Sequence, residues 1–147
     1  MEQQEKTSMN QIELRMCANP DYLCIARQVS RRAAELAQMG EDEVNTVILA
    51  VEEAMTNVIR HSYGGPSDKE VILQIRQLEA CPESPGALEI IIRDFGRQVD
   101  PSTIKSRDLD DIRPGGLGVH IIQSIMDQIE YTRQNGGGMQ LRMIKYI

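Results

Sequence analysis

Between residues 42 and 62, Val44, Val47, Ile48, Val51, Met55 and Val58 return every third or fourth position. That is the period of a helix with one apolar face. Such a helix does not stand alone in water, because its apolar stripe needs a second layer to cover it. The opposite side of this helix is unusual. Glu53, Asn57 and His61 recur at every fourth residue of "VEEAMTNVIRHS", and residues four apart stack on one side of a helix. At about 100° per residue, Asn57 lies roughly 40° and His61 roughly 80° round from Glu53. One face is core; the other carries a carboxylate, an amide and an imidazole in a row. Most polar stripes are solvated surface, and a His near a helix end is more often packing or capping than catalysis. The alternative is a site, since a carboxylate can act as a general base and an amide oxygen can ligate a hard cation.

The covering layer is legible as strands. "QIELRMCA" alternates Ile12, Leu14 and Met16, "EVILQIRQL" alternates Val71, Leu73 and Ile75, and "LEIIIRDF" is an apolar run that leads into Gly96. Alternation marks a strand with one buried face. Asn19-Pro20-Asp21 supplies a cap, a first-turn proline and an acidic residue for an earlier helix, which carries Leu23, Ala26, Val29, Ala33 and Leu36 to a stop at Gly40. "YGGPSD" reads as a loop and "EACPESPGA" as a turn of hairpin size. After "GGLGVHIIQSIMDQI", a glycine turn opening a buried helix, the end reads as a hairpin around Asn135-Gly136. The order β-α-α-β-β-loop-α-β-β describes one α/β domain over residues 1–147. Its expected form is a two-layer sandwich, with helices on one face of a mixed, mostly antiparallel sheet.

Composition removes several classes of function. The net charge of −6 speaks against a phosphate-backbone binder, and with no Trp and a single Phe there is no aromatic platform for bases. No apolar run is long enough to span a bilayer, and the polar start "MEQQEKTSMN" lacks a signal-peptide core. A cytoplasmic protein, without a nucleic-acid or membrane partner, is the expectation. Cys17, Cys24 and Cys81 are scattered and odd in number, which argues against a disulfide framework or a zinc site. Each is expected to be a buried or half-buried thiol.

Three further segments carry chemistry. "PGGLG", with Gly115, Gly116, Leu117 and Gly118, precedes a helix holding Ile121, Ile122, Ile125 and Met126. Helix N-termini offer free amides, and glycine admits a phosphate to the backbone, although glycine clusters also make plain turns. "RDFG" at 93–96 spells a protein-kinase metal triplet, but the companion motifs of that fold are missing. It reads either as a turn carboxylate or as a carboxylate at a pocket edge that accepts from an amino group. Residues 97–114 are polar and without period, as functional loops of this length commonly are.

In this order, "EEAMTNVIRHSY", "RDFGRQVDP" and "PGGLGVHIIQSIMD" resemble the N-box and the two glycine boxes of the bacterial anti-sigma factor serine-protein kinases. That family lies within the histidine-kinase-like (GHKL) ATPase superfamily. The resemblance runs from about residue 10 to the end and implies the Bergerat ATPase fold with ATP and Mg²⁺ as cofactors. It makes Glu53 the general base toward a serine hydroxyl and Asn57 the Mg²⁺ ligand. Asp94 becomes the acceptor for the adenine amino group, with Gly96 allowing close approach. Gly116 and Gly118 flank the triphosphate within the turn that includes Gly115 and Leu117. Residues 98–114 become the ATP lid, and Arg113 is the nearest basic residue for the γ-phosphate. Gln98 stands where the family often has a second glycine. His61 and His120 receive no catalytic role.

The activity so implied is that of a protein-serine kinase in a partner-switching system. It binds a sigma factor in one state; in the other it binds and phosphorylates a STAS-type anti-sigma factor antagonist. Homodimerisation is a family expectation. The alternatives are an ATP-dependent binding module with little phosphotransfer and a free-standing histidine-kinase-like ATPase domain. The second lacks a preceding helical segment with a phospho-accepting histidine.

Overall fold

A computed structural model describes residues 10–98, 100–103 and 117–147, the side chains of 103 and 117–120 excepted. The chain opens with strand β1 (Gln11–Ala18). Asn19 Oδ1 then accepts from the Asp21 amide at 3.0 Å and starts a 3-10 turn at Pro20–Tyr22. Helix α1 (Leu23–Leu36) continues from it. Helix α2 (Glu41–Asn57) follows, with Glu41, Asp42 and Glu43 in its first turn, where acidic groups favour the positive end of the helix dipole. Strands β2 (Ser67–Leu78) and β3 (Ala87–Arg93) form a hairpin. Helix α3 (Leu117–Ile125) and the hairpin of β4 (Gln128–Arg133) and β5 (Met139–Tyr146) complete the fold.

The five strands lie in the order β1-β2-β3-β5-β4. The sheet was expected to be mixed and mostly antiparallel; it is antiparallel in every pairing among the described residues, with no parallel pair there. A parallel pair needs a crossover that returns the chain in the same direction, whereas each neighbouring pair here is entered from opposite ends. The two-layer arrangement holds. Val71, Leu73 and Ile75 of β2, Leu88, Ile90 and Ile92 of β3, and Leu141 and Met143 of β5 share one core with Val47, Val51, Ala54 and Met55 of α2. Ala26, Ala33 and Ala34 of α1 and Ile122 of α3 join the same cluster, so the helices cover one face of the sheet. On the other face the Glu89 carboxylate, 3% exposed, takes Arg76 and Arg142 at 2.8 Å each. Among the described residues no helix is long and apolar enough to cross a membrane.

The exit from α1 departs from the sequence signal. The left-handed residue is Gln38 (φ 62°), two positions before the expected stop at Gly40. Gln38 N–H donates to Glu35 O at 2.9 Å and Met39 N–H to Ala34 O at 3.2 Å. This double bond pattern closes many helices, usually with glycine at the left-handed position. A side chain there costs about 1–2 kcal/mol, less the greater unfolded-state freedom of glycine. Gln38→Gly is therefore expected to stabilise the protein by about 0.5–1 kcal/mol. A urea midpoint unchanged or lowered would refute this.

The cysteine expectation is also corrected: Cys17, Cys24 and Cys81 are all exposed. Cys17 falls on the sheet face away from the helices, because it alternates with the inward Met16 and Ala18. Cys24 is on the outer side of α1, and Cys81 is in the β2–β3 turn.

Candidate functional site

The turn that follows α2 meets the end of β3 through Ser62 and Tyr63. Glu53 and Asn57 are half-buried and one turn apart in the last part of α2. The neighbouring carboxylate is already engaged: Arg27 Nη1 of α1 donates to Glu52 Oε1 at 2.9 Å. Glu53, turned about 100° away along the helix, makes no hydrogen bond or ion pair among the described residues. One acidic residue of the "EE" pair thus joins two helices, and the other accepts from no donor among the described residues.

The α-helix does not run on to residue 62. After Asn57 the chain widens into a π-turn over Val58–Ser62, with Tyr63 N–H donating to Val58 O at 3.1 Å. His61 lies in this turn and is exposed, so it leaves the regular stripe of Glu53 and Asn57. Local π-turns often occur at functional sites, where they redirect the following side chains. Here the redirected residues are Ser62 and Tyr63, and both reach the end of β3. Ser62 Oγ donates to Asp94 Oδ2 at 3.0 Å, and Ser62 O accepts from the Arg97 amide at 3.1 Å. Tyr63 Oη accepts from the Phe95 amide at 2.8 Å and donates to Glu70 O at 2.6 Å. Burial pushes the Tyr63 phenol above its ordinary pKa, so it keeps the proton that the second bond requires.

Asp94 is 3% exposed. Its Oδ1 accepts from Gly96 N–H at 3.0 Å and Met139 N–H at 3.3 Å, and its own amide donates to Met139 O at 3.0 Å. A buried carboxylate left without partners would be costly; these donors hold its orientation. Gly96 is required by proximity, since a Cβ there would lie 2.8 Å from the Ser62 carbonyl carbon. Gln98 takes up the role of a clasp. Its Nε2 donates to Gln134 O at 2.6 Å and to Gly138 O at 3.1 Å, fastening the segment after Asp94 to the β4–β5 turn. Arg93 braces the same turn from Nη2 to Gly137 O at 3.1 Å and stacks over the Phe95 ring.

Arg113, Gly115 and Gly116 lie outside the described residues, as does most of the expected lid at 98–114. Leu117 and Gly118 form the first turn of α3, which packs against α2. The structure thus brings Asn57's turn and Asp94 together through Ser62 and Tyr63. Sequence reasoning missed those two residues and the Gly138–Met139 backbone. A faint signal existed for Ser62 and Tyr63, which directly follow the polar stripe. The contribution of Gly138 was hidden within a run of three glycines.

Helices covering one face of an antiparallel five-stranded sheet, with a carboxylate and an amide late on α2 and a buried carboxylate after β3, form the two-layer α/β frame of an ATPase domain. The chain belongs to the histidine kinase-like ATPase domain family, whose model matches residues 16–145. It is 29% identical over 150 residues to the serine-protein kinase RsbW of Bacillus velezensis, covering 96% of this chain and 88% of that protein. It is also 29% identical to the serine-protein kinase RsbW of Bacillus subtilis, covering 97% and 89%. Among solved structures it is similar to a chain of the SiaB-SiaC complex from Pseudomonas aeruginosa, with a TM-score of 0.68, 15% identity, and coverage of 90% of this chain and 88% of that one. A structure of the RsbU and RsbW domains of Rv1364c from Mycobacterium tuberculosis aligns with a TM-score of 0.63 and 11% identity, over 92% of this chain and 32% of that chain.

Proposed function

We propose that this chain is an ATP-dependent protein-serine kinase acting as an anti-sigma factor, which phosphorylates a STAS-type anti-sigma factor antagonist in the cytoplasm. Residues 1–147 act as one ATPase domain, with 98–114 as its lid, and as the homodimer usual for the family. The observation that carries the reading is the division of labour in the "EE" pair. Glu52 is held by Arg27, and Glu53, one turn before Asn57, has no hydrogen-bond or ion-pair partner among the described residues. The near full-length likeness to serine-protein kinases supports the same conclusion.

The residues present fit ATP and Mg²⁺. Asp94 is a buried acceptor, fixed by backbone donors, of the kind an exocyclic amino group needs. Gly96 lets the backbone come close, and Asn57 offers an amide oxygen. Mg²⁺ takes few protein ligands and fills its remaining positions with phosphate and water oxygens, so one amide is enough. Bound Mg²⁺-ATP supplies the phosphoryl group and the charge neutralisation. The chain itself holds the base on Asp94 and holds the cation side on Asn57. At Glu53 it orients the incoming serine hydroxyl and accepts its proton, the protein's main chemical part in such transfers. Gly115, Gly116, Leu117, Gly118 and Arg113 complete the phosphate side in this reading.

The test is transfer of label from γ-labelled ATP to a STAS-type antagonist with Mg²⁺ present, together with nucleotide calorimetry. Parent protein is expected to bind Mg²⁺-ATP and label the antagonist on serine. Asn57→Ala is expected to weaken the Mg²⁺-dependent part of binding by about tenfold or more, about 1.4 kcal/mol. Parent protein without measurable nucleotide affinity would end the ATP reading.

A further inference from the structure

The mechanism above uses Asp94 as the acceptor for the base and leaves Ser62 unassigned. An ionised carboxylate has about four lone-pair positions for donors. Asp94 Oδ1 already accepts from two backbone amides, at 3.0 and 3.3 Å. Among the described residues, Oδ2 accepts from Ser62 Oγ alone, at 3.0 Å. The open acceptor position of Asp94 is therefore on the oxygen that Ser62 shares. A hydroxyl has one hydrogen, and in this geometry the Ser62 hydrogen is committed to Asp94. What the two oxygens present beyond their mutual bond is lone pairs only.

Ser62 is itself held. Its carbonyl accepts from the Arg97 amide at 3.1 Å, and Gly96 approaches its backbone so closely that no side chain fits between them. The hydroxyl thus reaches Asp94 from the α2 side, and the two backbone amides approach the carboxylate from the strand and loop side.

We infer that Ser62 is a specificity-determining positioning residue: with Asp94 it forms an acceptor-only pair that admits a 6-amino purine and rejects a 6-oxo purine. The inference rests on the proposed nucleotide reading and deepens it. A 6-amino group brings N–H to two oxygens that can only accept. A 6-oxo group brings a third oxygen against them, and a site that leaves buried polar groups unpaired discriminates strongly. Ser62 acts by holding the Asp94 carboxylate in one orientation and by supplying the second acceptor. The chemistry at the γ-phosphate stays with Glu53 and Asn57.

The probes are Mg²⁺-ATP and Mg²⁺-inosine triphosphate, which differ at position 6 of the base, an amino group against an oxo group with its ring tautomer. Phosphorylation kinetics of an antagonist are measured for both with parent, Ser62→Ala, Ser62→Thr and Asp94→Asn proteins, alongside thermal melting. Ser62→Ala is expected to lower the ATP-over-inosine-triphosphate preference in kcat/KM by about tenfold. The change is expected in KM for ATP, with kcat within about twofold of parent. Ser62→Thr keeps a hydroxyl and is expected to restore most of the preference. A merely structural serine would lower melting and both nucleotides' rates together, leaving their ratio unmoved, and that result overturns the inference. So does a threonine variant as impaired in the ratio as alanine. If Asp94→Asn retains the parent ratio, Asp94 is not the base acceptor and both readings fall. If Asp94→Asn loses the ratio and Ser62→Ala keeps it, only the assignment of Ser62 falls.

Discussion

Glu53→Ala is expected to cut phosphorylation of the antagonist by about 10²–10⁴-fold while leaving Mg²⁺-ATP affinity within about twofold of parent. A positioned general base is worth that factor, or roughly 3–5 kcal/mol of activation free energy at about 1.36 kcal/mol per tenfold. Affinity is spared in the proposed mechanism, where Glu53 acts on the serine hydroxyl while Asp94 and Asn57 hold the nucleotide. The control stands beside it in the chain. Glu52→Ala removes the half-exposed ion pair with Arg27, a contribution of about 0–1 kcal/mol to stability, and is expected to transfer phosphate at the parent rate. Single-turnover label transfer under saturating ATP separates the outcomes. Parent-rate transfer by Glu53→Ala makes an ATP-dependent binding module the better account of the chain. Damage confined to Glu52→Ala would mean that the helix presents its other carboxylate to the phosphate.

Gly138→Ala should be the most damaging small substitution in the β4–β5 turn, for two reasons that act together. Its φ of +80° lies in the left-handed region, and a Cβ there would sit 2.6 Å from the Asp94 carbonyl carbon and from Phe95 Cα. Those atoms are backbone and cannot rotate aside. Relieving the clash means separating Met139 from Asp94 and losing the bonds that hold the Asp94 carboxylate. A stability loss of about 3 kcal/mol or more is expected, together with at least tenfold weaker ATP binding, about 1.4 kcal/mol. Gly137→Ala isolates the backbone term. Its φ is +93°, and a Cβ there meets nothing within 4 Å, so only the strain of about 1–2 kcal/mol should appear. Equal losses for the two variants in urea unfolding would mean that crowding against Asp94 contributes nothing.

Much of this molecule was legible from its pattern of residues. The apolar period of α2, the alternation in β1 and β2 and the apolar run of β3 identify both layers, because a face that must be buried repeats at the period of its own backbone. Glu53 and Asn57 were named from their spacing on one helix face, and Asp94 and Gly96 from the family resemblance of their segment; the first two lie on α2 and the other two just beyond the end of β3. The points that failed were those where local signals compete. The α1 terminus uses Gln38 in place of a glycine, since the bonds of that turn to Ala34 and Glu35 can be made by any backbone that tolerates the strain. The three thiols are exposed because a cysteine's burial depends on which strand or helix face it falls on, and its type alone does not say.

The sequence by itself determined the two layers, the order of the three boxes and the chemical groups they contain, since each depends on residues within a few positions of one another. Only the tertiary structure decided how those groups are used. The antiparallel order β1-β2-β3-β5-β4 sets the β4–β5 turn beside the end of β3, so that Met139 and Gly138 meet Asp94. The π-turn after Asn57 brings Ser62 to the same carboxylate, and the packing of α1 on α2 gives Arg27 to Glu52 and leaves Glu53 without a partner among the described residues. These contacts join residues 25 to 45 positions apart. Their existence depends on how whole elements pack, a many-body outcome that no local period or spacing encodes.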